Sequence, residues 1–268
     1  MNATALAGLS ADLVRRTLLD AAEIAATRTL PHFRAGIAVD NKETSGFDPV
    51  TAADREAELA IRDLIGTRFP DHAIIGEEWD DKSGNSGFAW IIDPIDGTRA
   101  FITGVPVWGT LVGLTVEGEA VAGLMSQPFT GEIYMALPGE AYYHRGAAHA
   151  PLRTSGVTEL SRAKLTATSP DIFERSGTVA TWDRLRQKVL TTRYGLDCYG
   201  YALLAAGHID LVAEAMLKDV DICPLIPLIE NAGGVVTSWD GGPAEHGGNC
   251  VAAATPELHA AALAVLGG

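Results

Sequence analysis

The apolar positions of this chain change their period along its length, and each change marks an element. After Ser10, "ADLVRRTLLDAAEIAATRTL" repeats apolar residues at helical spacing until Pro31, with Ser10 placed to cap the start. A second helical pattern, "AADREAELAIRDLIGTRF", follows Thr51 and stops at Pro70. Between the two, "DNKETSGFDPV" is polar and holds Gly and Pro, which predicts a loop or an irregular hairpin. "HAIIGEE" and "FAWIID" are short apolar runs that end in acids, as buried strands with functional C-terminal ends would. "WGTLVGLTVEGEAVAGLMSQP" predicts two strands joined at Glu-Gly-Glu, and "GEIYMALPGEAYYHRG" two more.

Residues 145–163 are richer in small and polar side chains and form the candidate boundary between an N-terminal α+β part (1–150) and a C-terminal α/β part (151–268). The second part predicts a strand at "AKLTATS", helices near 181–190 and at "YGYALLAAG", and a strand at "IDLVAEA". A helix over 222–232, strands at "GGVVTSW" and "CVAAAT" and the helix "PELHAAALAVLGG" complete it. Strand-rich and helix-rich stretches alternate without strict βαβ regularity, so the expected class is layered α/β with mixed sheets.

Composition narrows the partners. With 268 residues, 47% of them hydrophobic, the chain can bury one large domain or two closely joined parts. Its 34 acidic and 20 basic residues give a net charge of −14, which argues against nucleic acid or an anionic membrane as partner. A small phosphorylated molecule stays possible if something cationic occupies the site. No stretch reaches the ~20 apolar residues of a membrane span, and no basic segment precedes an apolar core at the N-terminus, so the expectation is a cytoplasmic protein. Cys198, Cys223 and Cys250 are too scattered for a disulfide framework and read as buried small hydrophobes. The seven histidines show no metal-ligand pairing, which disfavours zinc.

The acids carry the chemistry. Asp54 opens a helix, Glu77 and Glu78 follow one strand, Asp93 and Asp96 follow another, and Asp221 precedes a helix. In "WIIDPIDGT" the proline predicts a turn that points Asp93 and Asp96 together off the strand end. Clustered carboxylates are costly to bury without a cation, and an oxygen-only donor set suits Mg²⁺. Gly97 and Thr98 follow at once, where a helix start would offer amides to a phosphate. The Thr98 hydroxyl could orient a water whose proton Glu77 or Asp54 accepts. Singly each feature has a plainer reading: a turn, a solvated Glu77–Glu78 surface, or a helix-start acid at Asp54 or Asp221. Together, each at an element end, they point to one site.

On "DPVTAAD" (48–54), "GEE" (76–78), "WIIDPIDGT" (90–98) and "DVDICPLIPLIENAGG" (219–234), the chain resembles the inositol monophosphatase family of Mg²⁺-dependent phosphomonoesterases. The resemblance implies a layered αβαβα sandwich of the inositol monophosphatase/fructose-1,6-bisphosphatase type, a homodimer, and two or three Mg²⁺ per site. It implies Glu77, Asp93, the Ile95 carbonyl, Asp96 and Asp221 as metal ligands. Glu77 and Thr98 would activate the attacking water, supported by Asp54 and Thr51. Asp96, Gly97 and Thr98 would hold phosphate, and Lys42 matches the family's site-loop lysine in a loop one residue longer than in many members. Val220 stands where the family usually has tryptophan before the aspartate.

Within the superfamily, "DGTRAFITGVPVWGTLVGL", "LIPLIENAGG" and "GLDCYGYALLAAGHIDLVAEA" resemble the histidinol-phosphate phosphatases more than the inositol enzymes. Asp197 and Glu214 then fall where the leaving group is read, and two carboxylates suit the ammonium and imidazole of histidinol. Asp197 could equally cap the following helix. Arg99 either borders the phosphate or meets a carboxylate across a dimer interface. The expected reaction is hydrolysis of L-histidinol phosphate by a metal-activated water, a step of histidine biosynthesis, without a covalent phosphoenzyme. The rivals are an inositol-1-phosphatase or broad sugar phosphatase, a bisphosphate nucleotidase, and a metal-dependent binding protein without turnover.

Overall fold

Ser10 does precede the first helix, α1 (Ala11–Thr29), although its side chain makes no capping hydrogen bond. A computed structural model of the chain describes residues 6–36, 38–41 and 49–267. The short strands β1 (Val39–Asn41) and β2 (Pro49–Thr51) pair antiparallel. Thr51 then caps α2 (Ala52–Arg68) in a reciprocal box with Asp54. Buried Ala21, Ala22 and Ala25 of α1 and Ala57 of α2 let these two helices approach closely on one face of a seven-stranded sheet.

That sheet holds β3 (Ala73–Gly76), β4 (Phe88–Asp96), β5 (Gly109–Val116), β6 (Glu119–Gln127), β7 (Glu132–Leu137), β8 (Glu140–Arg145) and β9 (Ala148–Pro151), in sequence order. Only β3 and β4 run parallel; the remaining pairs are antiparallel. The short helix α3 (Thr98–Thr103) leaves the end of β4. The second sheet has the order β11 (Thr191–Tyr194), β10 (Lys164–Ala167), β12 (Leu211–Leu217), β14 (Gly248–Ala253), β13 (Val235–Ser238), and it is mixed. Helices α4 (Asp171–Arg175), α5 (Val179–Arg186) and α9 (Pro256–Leu266) lie on its outer face. Helices α6 (Asp197–Ala205) and α8 (Ile226–Asn231) fill the space between the sheets. The order is αβαβα.

The middle layer is tight because backbone meets backbone. A Cβ at Gly113 would lie 3.0 Å from the Cα of Pro224, and one at Gly123 would fall onto the Pro224 carbonyl. The helix expected over 222–232 is broken into α7 (Asp219–Ile222), a 3₁₀ turn (Cys223–Leu225) and α8. Pro224 and Pro227 cannot donate helical hydrogen bonds, which divides the run. The helix expected near 181–190 ends at Arg186, and β9 and β11 were not foreseen; both are largely exposed edge strands without an apolar pattern.

The expected turn at Pro94 is also corrected. Strand β4 continues through the proline to Asp96, but its register against β5 slips: Asp93 pairs with Leu111 and Asp96 with Gly109. Three steps on β4 match two on β5, so one residue is bulged. In a regular strand residues three apart face opposite sides; the bulge restores both aspartates to one side.

Candidate active site

The bulge of β4 delivers Asp93 and Asp96 to a point that Asp221 of α7 reaches from the other half of the chain. One oxygen from each of the three carboxylates lies within 4.8 Å of the others. Backbone amides anchor all three: Asp93 Oδ1 accepts from the Ile95 amide at 3.0 Å, Asp96 Oδ2 from the Cys198 amide at 2.7 Å, and Asp221 Oδ2 from the Lys218 amide at 2.7 Å. Burial, then the neighbouring acids, raise the Asp93 and Asp96 carboxyls well above the usual range, and burial raises Asp221 to about 6. Packed acids that disfavour their own ionisation are what a hard cation offsets, and the donors are all oxygen.

Behind this trio sits buried Asp54. Its Oδ2 accepts from the Thr51 amide at 2.8 Å and the Thr51 hydroxyl at 2.5 Å, while buried Oδ1 lacks a hydrogen-bond partner among the described residues. Burial pushes this carboxyl up to about 6, with Glu77 adding to the rise. Thr98 starts α3, and its hydroxyl donates to the Ile95 carbonyl at 3.1 Å. Gly97, at φ +82°, turns the chain into that helix.

Glu77 is held from two directions. Its Oε1 accepts from Lys218 Nζ at 2.9 Å. The loop that carries it is fixed from below by buried Glu58, which accepts from the Glu78 amide at 2.8 Å and from Arg62 Nε at 2.7 Å. Gly76 is glycine because a Cβ there would strike the Glu58 carboxylate. Glu78 therefore contributes a backbone amide to this support.

A pocket of about 260 Å³ opens beside the cluster, lined among others by Glu77, Asp96, Gly97, Thr98, Arg99, Asp197, Glu214 and Asp221. Glu214 is buried; its Oε1 accepts from the Thr168 amide at 2.7 Å and hydroxyl at 3.0 Å, and its Oε2 lacks a protein hydrogen-bond partner among the described residues. Burial raises this carboxyl to about 8. Asp197, at φ +48°, is the first residue of α6. Burial lifts it to about 6 against the pull of the Thr168 hydroxyl and Arg99. Asp96 takes the Cys198 amide in the first turn of this helix. A Cβ at Gly97 would come within 3.1 Å of Asp197 Oδ2.

The structure thus gathers Glu77, Thr98, Asp54, Thr51, Asp93, Ile95, Asp96, Gly97, Arg99, Asp221, Asp197 and Glu214 about one pocket and its floor; Lys42 lies outside the described residues. Sequence reasoning missed Glu58, Arg62, Thr168, Lys218 and Cys198. Glu58 and Arg62 form an i, i+4 pair on α2, which resembles any solvated helix face until the burial is known.

The family model described as "Inositol monophosphatase family" matches residues 11–267. The "Bifunctional phosphatase IMPL2, chloroplastic" of Arabidopsis thaliana is 42% identical over 212 residues, which cover 78% of this chain and 60% of that protein. The "Histidinol-phosphatase" of Chlorobaculum parvum is 36% identical over 224 residues, covering 83% of this chain and 85% of that one. Among solved structures, an inositol monophosphatase from Zymomonas mobilis superposes with a TM-score of 0.84 at 35% identity, over 97% of this chain and 100% of that one.

Proposed function

This chain belongs to the inositol monophosphatase family, and we propose that within it the chain is a Mg²⁺-dependent phosphomonoesterase that converts L-histidinol phosphate and water to L-histidinol and phosphate. The observation that carries the substrate is buried Glu214 Oε2, an acceptor without a hydrogen-bond partner among the described residues, in a pocket shared with Asp197. An ammonium supplies the missing donors and the charge; an inositol ring offers only neutral hydroxyls to two carboxylates. The chain's likeness to a histidinol-phosphatase over most of both lengths supports the same substrate.

Asp93, Asp96, Asp221, Glu77 and the Ile95 carbonyl would hold Mg²⁺, two or three ions per site. Bound there, the metal would neutralise the acid cluster and polarise phosphate and water. The chain's own groups do the rest. The Gly97 and Thr98 amides, with Arg99 nearby, hold the phosphate. Thr98 and Glu77 orient the attacking water, and Glu77 takes its proton. Thr51 fixes Asp54 so that Oδ1 stays available to the same water network. Lys42, which lies outside the described residues, would add a cation. A homodimer and a cytoplasmic location belong to the same proposal.

The test is phosphate release from L-histidinol phosphate and from myo-inositol 1-phosphate, with Mg²⁺ and with EDTA. The expected preference is roughly 100-fold for histidinol phosphate, about 2.7 kcal/mol of transition-state binding, abolished by EDTA. Comparable rates would favour the second reading, an inositol-phosphate or broad-specificity phosphatase, which the likeness to the Zymomonas enzyme supports.

A further inference from the structure

Among the described residues, two non-glycine side chains of this pocket stand on left-handed backbone: Asp197, and Met216 at φ +63°. Such a conformation is unfavourable for any residue with a Cβ and is retained where the surroundings impose it. Around Met216 they do. In β12, Val212 and Glu214 face the middle layer, while Leu211, Ala213 and Ala215 face the outer core. Between Glu214 and Leu217 the register against β14 slips by one residue, with Glu214 opposite Cys250 and Leu217 opposite Gly248. Facing the slip, Gly247 and Gly248 both have positive φ, and a Cβ at Gly247 would meet the Leu217 carbonyl. Asn249 Oδ1 accepts from the Met216 amide at 3.3 Å. The irregularity is therefore built from both strands. Its result is a methionine, 49% exposed, placed on the pocket lining two residues beyond Glu214.

An exposed thioether held at a steric cost beside a carboxylate pair calls for an apolar partner. We propose that Met216 sets leaving-group specificity by covering a flat aromatic ring, the imidazole of the substrate, while Glu214 and Asp197 take its ammonium. The inference rests on the histidinol phosphate reading and adds a residue to it. Thioethers make favourable contacts with aromatic edges and faces, and the neighbouring pocket residue Ile172 extends the apolar wall.

Met216→Gly removes the side chain and fits the same φ without strain, so its Tm should not fall. Its kcat/KM on L-histidinol phosphate should drop about 10-fold or more, chiefly through KM. On β-glycerophosphate, which has no ring, it should change less than about 2-fold. Met216→Leu keeps an apolar cover on the same backbone and should retain most of the preference. A wild-type enzyme with no preference for L-histidinol phosphate overturns the substrate reading itself. A wild-type preference that survives intact in Met216→Gly, or equal losses on both substrates, overturns the role of Met216 alone.

Discussion

Glu58 touches no substrate, yet it decides where Glu77 stands. Its side chain is fully buried against Arg62 and accepts from the Glu78 and Trp79 amides. Removing one member of a buried pair strands the other, at a cost of about 3 kcal/mol or more. Glu58→Ala should accordingly lower the unfolding free energy by about that amount in urea titrations, with turnover falling as the Glu77 loop loosens. Glu77→Gln behaves oppositely. It deletes the proposed proton acceptor but also one charge of the cluster, so hydrolysis should be lost while the metal-free Tm holds or rises. Full activity in that variant would remove Glu77 from the chemistry. Asp197→Ala should cut kcat/KM on L-histidinol phosphate far more than on β-glycerophosphate, because in the proposed function Asp197 meets the leaving group and not the phosphate. Residues of this kind divide in legibility. Asp93 and Asp96 could be singled out in the sequence because Pro94 and Gly97 follow them, and Asp54 and Asp221 because each falls in the first turn of a helix. Thr168 and Lys218 could not, since their partners are 46 and 141 residues away in the chain.

At the scale of elements, apolar periodicity found the two N-terminal helices and the hairpins at Glu117-Gly118 and Pro138-Gly139 because local turn chemistry fixes them. It failed where tertiary context decides. Whether Pro94 ends a strand or bulges it depends on β5, which holds β4 in the sheet on both sides of the slip. The run around Pro224 reads as one helix until the opposing glycines are known. These glycines give a sharp prediction. Gly123→Ala places a methyl on the Pro224 carbonyl, backbone against backbone, which neither strand nor turn can evade by rotamer change. It should cost about 2–3 kcal/mol, seen as a lower urea midpoint with an unchanged slope.

For the molecule as a whole, the site carboxyls set the pH dependence. Asp54, Asp221 and Asp197 stand at about 6 and Glu214 at about 8, all above their ordinary values. The folded state then binds protons more tightly than the unfolded chain, so the stability they contribute is full in acid and is lost as pH rises through the folded values. His72 works the other way. It is stacked between Phe69 and Phe88 and accepts the Trp90 indole N–H on Nδ1, and burial, then Lys82, depresses its protonation, so its contribution is lost as pH falls. Metal-free protein should therefore lose Tm between about pH 4 and 8. Added Mg²⁺ should raise Tm more at pH 8 than at pH 5, because the cation and the protons compete for the same oxygens. An equal shift at both values would detach the cation from these acids.

One hydrogen bond joins the two ends of this site. Asp96 receives the Cys198 amide on one oxygen while belonging to the carboxylate trio, and Cys198 adjoins Asp197 in the chain. Binding at the trio and binding at the leaving-group pocket therefore share a part, and shared parts make affinities mutually dependent. By reciprocity, whatever factor a divalent cation adds to the affinity for L-histidinol, L-histidinol must add to the affinity for the cation. A titration of each in the presence and absence of the other should return one number twice.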